Sequence, residues 1–500
     1  MGKFVRIAEA LAAGHAVPAK SGDIKVYTQS LEASDSTKLV MVKDLADHTK
    51  YLLAVGKGRL FDELQGIIED GAKLCPLTHD NRLVLNRYFD YTKPRAFGTQ
   101  FSTLGLGDRL GIASPGHIKA VKGKDVRPIL AQQSIREVTL TGRDYKQVLD
   151  AACYAVFQEG YKDGFGADGD HLKKEEDIRM ALDLGFTMLT LDCSDKIDHS
   201  IENLSAAGRE AKYAGLRPDV RSHYETLYLG QTFRVAGISI TFDRETLIKN
   251  VLVYGAAIDF MEHVYNTYIK NADSEVDFEI SIDETAAPTG PESHFFVTKE
   301  LYGRGVTIYS LAPRFCGEFQ KGIDYIGDIE QFEKEMPIHA GIADDFGYKL
   351  SIHSGSDKFS VFPMIGKYTG GRFHVKTAGT NWLEAVRTAA KVKPSLYRRM
   401  HRYALEHFEE AAAYYHVTTD ISKIVPLDQV SDADLADTYM NEDNARQLIH
   451  ITYGILLQAK DERGGTLFKD ELYRTLSEQE EAYEQSLISH IGKHIEWLGK

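Results

Sequence analysis

Apolar residues along this chain recur with two different periods, and the switching between them carries most of the structural information. From Phe97 onward, short runs with apolar residues on every second position, or filling the run, are separated by longer stretches with apolar residues three and four apart. The short runs predict eight strands: FGTQFSTL (97–104), PILAQQSI (128–135), GFGAD (164–168), FTMLTLD (186–192), VDFEISID (276–283), VTIYSL (306–311), YKLSIH (348–353) and RFHVKT (372–377). Strands alternating with helical stretches predict βαβ units on a parallel sheet, and eight such units close into a (β/α)8 barrel of the TIM type. Helix starts are marked by Ser114 ahead of Pro115, by Thr141 as N-cap with Asp144 three residues on, and by Asp243; Gly185 ends a helix that begins near Lys173.

One connection breaks the rhythm. More than eighty residues separate Asp192 from Val276, and within them GQTFRVAGISITFD alternates like a β-hairpin before a long helix. This predicts an insertion, 193–275, in a catalytic barrel spanning 96–392, shaping one wall of its mouth. Residues 1–95 mix β-like runs (DIKVYT, TKLVMV, YLLAVG) with a helix around LFDELQGIIEDG and form an N-terminal α/β cap. Residues 393–500 read as a helical C-terminal module.

Parity within the strands separates the side chains that face the helices from those that face the barrel axis. In VDFEISID, Val276, Phe278, Ile280 and Ile282 face outward, which turns Asp277, Glu279, Ser281 and Asp283 inward. The same rule puts Ser351 and His353, His374 and Lys376, Thr190 and Asp192, and Gln100 and Ser102 on the interior, while strands two and six are ambiguous. GADGDHLK follows strand three, with Asp168, Asp170, His171 and Lys173 on a loop at the C-terminal mouth, where barrel enzymes place their chemistry. Carboxylates and imidazoles gathered in one mouth need partners or a cation, and a divalent metal meets that need. An ion-paired scaffold, with Lys376 or Lys173 as partner of Glu279 and Asp170, is the competing reading. A lone histidine is more often structural than a ligand, so His339, His401, His407, His416 and His450 are set aside.

Composition narrows the function classes. A formal net charge of -14 would repel a nucleic-acid backbone, which excludes nucleic acid as a partner. The four cysteines form no CxxC pair and read as reduced thiols. No apolar run approaches the roughly 18 residues of a membrane span, and the first residues lack a continuous apolar core, so a cytoplasmic enzyme away from membranes is expected. GLGDRLG (105–111) fails the GxGxxG spacing and no P-loop follows any strand. SGSDK (354–358) offers backbone N–H groups and a lysine after strand seven, where barrels often hold an anionic group.

The tracts GADGDHLK, DFEISIDET, LAPRF with GIDYIGD, and IHSGSDKFSVFPMIGKYTGGRFHVKTAGTNWLEA together resemble the tagaturonate/fructuronate epimerase family of metal-dependent enzymes in hexuronate catabolism. The resemblance implies a small sugar acid or ketose as substrate and a divalent cation as cofactor, with zinc, manganese, nickel and cobalt undistinguished. It implies that Asp170 and Glu279 are the acid/base pair and that His171 and His353 are metal ligands, with Glu318 and His374 both carried for the remaining place. Ser134, Thr190, Arg314, Lys358 and Lys376 are the candidates for binding substrate; a homo-oligomer is compatible with the family. The two ketoses differ at C4, whose C–H bond the C2 carbonyl does not acidify, so retro-aldol cleavage and re-addition is the expected chemistry. A metal-dependent aldolase, a ketose isomerase and a non-catalytic sugar-binding barrel are the alternatives.

Overall fold

The computed structural model describes residues 2–235, 237–285 and 287–500. Eight parallel strands close into a barrel: β1 Thr103–Gly105, β2 Arg127–Ser134, β3 Gly166–Leu172, β4 Met188–Asp192, β5 Asp277–Ile282, β6 Ser310–Pro313, β7 Lys349–Ile352 and β8 Phe373–Lys376. Each strand neighbours the next in sequence, and β8 returns to β1 with His374 opposite Thr103 and Lys376 opposite Gly105. The TIM-type barrel expected from the hydrophobic rhythm is therefore present. Its outward residues, among them Leu189, Leu191, Phe278, Ile280, Leu350 and Val375, are buried. Each such side chain contributes about 1.5–3 kcal/mol through removal from water.

Several boundaries differ from expectation. The first strand begins at Thr103 rather than Phe97, because the backbone N–H groups of Phe97 and Gly98 donate to the Asp277 carboxylate at 2.7 and 3.0 Å and the chain turns there. Gln100 is exposed and Ser102 donates to the Gly371 carbonyl, so neither faces the barrel axis as parity predicted; Thr103 does. The third strand runs on to Leu172, which puts Asp168 and Asp170 on the strand rather than on a loop. Thr141 ends the helix Ile135–Thr141 instead of capping the next; Asp144 caps Tyr145–Glu159 in a reciprocal box with Gln147. Ser114 lies inside the helix Ser114–Val121, whose first N–H groups are met by the Asp108 carboxylate, 2.7 Å from Ala113 N and 3.2 Å from Ser114 N. Asp243 caps Arg244–Val264, and Gly185 closes Glu175–Leu184 in the left-handed conformation, as expected.

The chain divides into two compact units. One comprises the residues up to Arg95, Leu106–Ala167 and Ala378–Lys493. Its N-terminal part is a six-stranded antiparallel sheet in the order Lys20–Ser21, Ile24–Ser34, Ser36–Asp44, Lys50–Lys57, Ala72–Pro76, Ile67–Glu69. Alternation along those strands gives the sheet two apolar faces: Val26, Val40, Val42 and Leu53 pack on the helix Val5–Ala13, while Tyr27, Leu39, Met41 and Leu52 pack on His79–Tyr88 and Tyr145–Glu159. The C-terminal part is helical, with a core around Trp382, Tyr397, Leu448, Leu456 and Leu472. The other unit comprises Ala96–Gly105, Asp168–Thr377 and His494–Lys500. It carries most of the barrel strands and the long insertion, in which Thr232–Val235 pairs antiparallel with Ile238–Thr241 ahead of the helix Arg244–Val264; Ala236, inside the predicted hairpin, lies outside the described residues. Among the described residues no helix is long and apolar enough to cross a membrane, and all four cysteines are buried free thiols.

Candidate active site

The site begins with a count of residues. On the β3 side of its pairing with β4, Gly169 is opposite Leu189 and Leu172 is opposite Leu191, so the two residues Asp170 and His171 face the single residue Thr190. This is a bulge, and His171 takes the backbone angle it needs, φ 53°. A regular strand would turn His171 toward the helices; the bulge lets it follow Asp170 to the interior side and returns Leu172 to the core. Gly169 is tightly packed: a Cβ there would stand 3.1 Å from Ala181 Cβ and 3.1 Å from Leu172 Cδ1, so a neighbour would have to give by a few tenths of an ångström. Gly169→Ala is therefore expected to cost about 1–3 kcal/mol in urea-induced unfolding, with loss of activity as the bulged strand shifts; an unchanged midpoint would show that the helix yields freely.

At the centre of the interior lies the Lys376 ammonium, 2.6 Å from Asp170, 2.8 Å from Glu279 and 3.1 Å from Asp168, and donating to Thr190 Oγ1 at 2.5 Å. Thr190 in turn lies 3.0 Å from Asp168 and 3.2 Å from Glu279. Ser310 Oγ donates to the other Glu279 oxygen at 2.5 Å. Burial alone would keep these carboxyls neutral, but the ammonium prevails at two of them: Asp170 is brought down to about 2, and Glu279 is held well below the usual carboxylate range by Lys376 and His353. Asp168 is the exception, pushed up to about 6 by burial and by the neighbouring charges of Asp170 and Glu279 despite Lys376. Lys376 itself, though buried, is raised well above the usual lysine value by the three carboxylates. The ion-paired reading of Asp170 and Glu279 thus holds together with their interior position.

The imidazoles stand at the strand ends. His353 Nε2 lies 2.7 Å from Glu279 Oε1, and its Nδ1 is 3.0 Å from Asp283 Oδ1. Burial opposes a charge on this ring, yet Asp283 outweighs it and raises His353 to about 10. The His171 ring meets the His353 ring edge to face, centroids 4.8 Å apart, and His171 Nδ1 is 3.5 Å from Asp192 Oδ2. His171, Asp192 and Glu284 offer ligand atoms that all lie within 4.8 Å of one another.

A second polar layer lies deeper. His374 Nδ1 bonds Thr103 Oγ1 at 2.9 Å, Thr103 Oγ1 bonds Tyr309 Oη at 2.8 Å, and Lys349 Nζ donates to Tyr309 Oη at 2.5 Å and to the Phe101 carbonyl at 2.9 Å. Burial lowers His374 to about 3 and Lys349 to about 7. Asp170, His171, Thr190, Glu279, His353 and Lys376 therefore form one cluster, with His374 in the layer beneath.

The remaining predicted residues lie elsewhere. Glu318 is over a third exposed and pairs with Arg314 at 3.5 Å; Arg314 also donates to the Thr285 carbonyl. Lys358 is buried, with its Nζ on the carbonyls of Gln320, Ile323 and Ser356. Ser134 ends β2 and caps the helix Ile135–Thr141, accepting from Glu137 N at 3.2 Å in a box that Glu137 completes. Sequence reasoning passed over Ser310 and Glu284, and noted Asp168, Asp192 and Asp283 without assigning them a role. Strand six was ambiguous in parity because its apolar residues change parity between Ile308 and Tyr309, and Glu284 follows the strand where parity no longer applies.

Comparison with known proteins adds to this geometry. A family model described as tagaturonate epimerase matches residues 27–498. The tagaturonate/fructuronate epimerase of Thermotoga maritima is 43% identical over 479 residues, covering 95% of this chain and 97% of that protein. The native crystal structure of the fructuronate-tagaturonate epimerase of Cohnella laeviribosi is similar with a TM-score of 0.95 at 63% identity over 99% of both chains. Its complex with one glycerol gives 0.94 at the same 63% identity, again over 99% of both chains.

Proposed function

This chain belongs to the tagaturonate epimerase family, and from that premise we propose that it interconverts D-tagaturonate and D-fructuronate at C4 by metal-assisted retro-aldol cleavage and re-addition. What carries this reading is the meeting of Asp170 and Glu279 on one ammonium, 2.6 and 2.8 Å from Lys376 Nζ, beside the two imidazoles at the mouth. Two carboxylates held ionised in a water-poor interior are suited to moving hydroxyl protons.

The donors at the mouth fit a divalent cation. His171 Nδ1 is buried without a hydrogen-bond partner, and Asp168, Asp170, Asp192, Glu279 and Asp283 together outnumber the cations Lys376 and His353. His171 and His353, with Asp192 and Glu284 as oxygen donors, would hold it; such a mixed nitrogen and oxygen set suits zinc, manganese, cobalt or nickel. Bound there, a cation supplies Lewis acidity to the C2 carbonyl and its neighbouring hydroxyl. His374, bonded to Thr103 in the deeper layer, and Glu318, paired with Arg314, are assigned structural parts.

The chain's own groups then do the proton work. One of Asp170 and Glu279 takes the C4 hydroxyl proton; the C3–C4 bond breaks, its electron pair passing into the C2 carbonyl as an enediolate while C4 becomes an aldehyde. After the aldehyde turns, C3 attacks its other face and the C2 carbonyl re-forms; the proton held by the first carboxyl passes to the second, which delivers it to the new C4 alkoxide. Lys376 keeps both carboxylates oriented throughout, and Thr190 and Ser310 fix the orientation of Glu279.

Incubation with tagaturonate in D2O, followed by NMR, is expected to yield fructuronate with the C4 hydrogen retained. Deuterium at C4 would overturn the retro-aldol step, and net cleavage products or an aldose would replace the epimerase reading with an aldolase or isomerase. Treatment with a strong chelator is expected to abolish turnover and a divalent ion to restore it; an enzyme indifferent to chelation would remove the metal from the mechanism.

A further inference from the structure

Between the insertion and the loop after β5 lies a cavity of about 490 Å³ that contains none of the residues clustered around Lys376. Small-molecule sites commonly enclose about 300–1,000 Å³. Three segments build the walls. On the helix Arg244–Val264, Thr246, Asn250 and Tyr254 stand four residues apart on one face, with Val253 beside them. Ile197, His199 and Glu202, from the stretch after β4, form a second wall. Thr285, which directly follows Glu284, forms the third together with Gly290 and Ser293.

The polar groups of these walls lack partners in both senses. Asn250 is buried, and its Nδ2 donates to the Thr246 carbonyl at 2.9 Å, but its Oδ1 has no hydrogen-bond partner. A buried amide oxygen without a donor is uncommon and calls for an explanation. The helix Pro291–Gly303 starts without a side-chain cap, and Gly290, Glu292 and Ser293 at its start line the cavity. Its first N–H groups have no acceptor within the helix. Ile197, Val253 and Tyr254 are buried and add apolar surface.

A hydroxyl both gives and takes a hydrogen bond. A molecule bearing several of them can therefore serve an orphan acceptor and uncapped donors at once, with its C–H faces against Ile197, Val253 and Tyr254. Charge argues against a sugar acid here. Glu202, Glu245 and Glu292 all line the cavity, and the cations at its rim are engaged: Lys249 lies 3.1 Å from Glu202 and Arg209 lies 2.7 Å from Glu245. An incoming carboxylate would have to break one of these pairs and face the remaining acids, whereas a neutral polyol or hexose meets no such opposition. We propose that this cavity is a second binding site, taking a small uncharged polyhydroxy molecule on Asn250 Oδ1 and on the first N–H groups of Pro291–Gly303. The site is separate from the cluster around Lys376 and does not rest on the epimerase reading.

Calorimetry with D-mannitol and with D-mannonate tests this on the wild type, on Asn250→Leu and on Thr246→Trp, whose indole fills the cavity. Mannitol is expected to bind the wild type, to bind Asn250→Leu about three- to tenfold more weakly, and to lose this site altogether in Thr246→Trp. If mannitol also enters the catalytic mouth, that second component should persist unchanged in both variants. Mannonate is expected to show no component that either substitution alters. A wild type that does not bind mannitol overturns the site, and so does binding that all three proteins share, which would place the polyol at the catalytic mouth alone. Mannonate binding that disappears together with mannitol binding in Thr246→Trp overturns the restriction to uncharged ligands. Should Thr246→Trp not fold, Lys249→Trp, at the exposed rim, is read by the same criteria.

Discussion

Glu279→Gln should leave a folded protein whose divalent-metal content matches that of the wild type and which turns substrate over slower by a factor on the order of 10²–10⁴. The substitution keeps the shape of the side chain, and its amide oxygen can still face Lys376 Nζ, 2.8 Å away in the wild type. Its amide N–H group then meets the Ser310 hydroxyl, which can rotate to accept, while Thr190 stays beside the amide oxygen. What the amide cannot do is hold a proton taken from a hydroxyl. Steady-state kinetics, a thermal melt and metal analysis together decide the matter. Full activity would take Glu279 out of the mechanism, and loss of the fold would make it a scaffold partner of Lys376.

Lys376→Met should be far more damaging to stability. It removes the cation shared by Asp168, Asp170 and Glu279 and leaves three buried carboxyls facing one another, a loss of about 3–5 kcal/mol by analogy with other broken buried pairs. The pH dependence gives the sign. In the wild type, Asp170 at about 2 and Glu279, also depressed, contribute stability above the unfolded carboxyl value of about 4 and lose it as pH falls through their folded values. Without the ammonium, burial and mutual repulsion raise these groups above their unfolded values, so the folded state binds the extra protons and gains stability on acidification. Asp168, at about 6 in the wild type, already behaves this way. Urea unfolding at pH 7 and pH 5 should show the variant recovering more stability than the wild type on acidification; parallel changes would mean that the three carboxylates are not the source of the loss.

The barrel was legible because its outward residues are strictly apolar in β5, β7 and β8, so the inward set there could be read by subtraction: Glu279, His353 and Lys376. The reading failed where local chemistry mimics something else. Asp168-Gly169-Asp170 has the composition of a turn, yet Lys376 satisfies both carboxylates from across the interior and the strand continues through them. Alternation from Phe97 to Leu104 looks like a strand, but nothing in those residues reveals that Asp277, far along the chain, captures the N–H groups of Phe97 and Gly98. Ser134 sits at a strand end and at a helix start at once, and a hydroxyl there suits either a ligand or a cap. Lys358, close to a candidate tract, is buried with its ammonium on the carbonyls of Gln320, Ile323 and Ser356, a fate that one sequence does not encode locally.

The extra residue in β3 also bears on transplantation. A builder who copied Gly166–Leu172 into an idealised barrel of perfectly regular strands would keep every side chain and still lose one of the two that this strand sends into the cluster. With uniform pleating only Asp170 or His171 could look toward the axis, never both. The functional unit to be moved is the irregularity itself, together with Gly169 beneath it and Thr190 opposite.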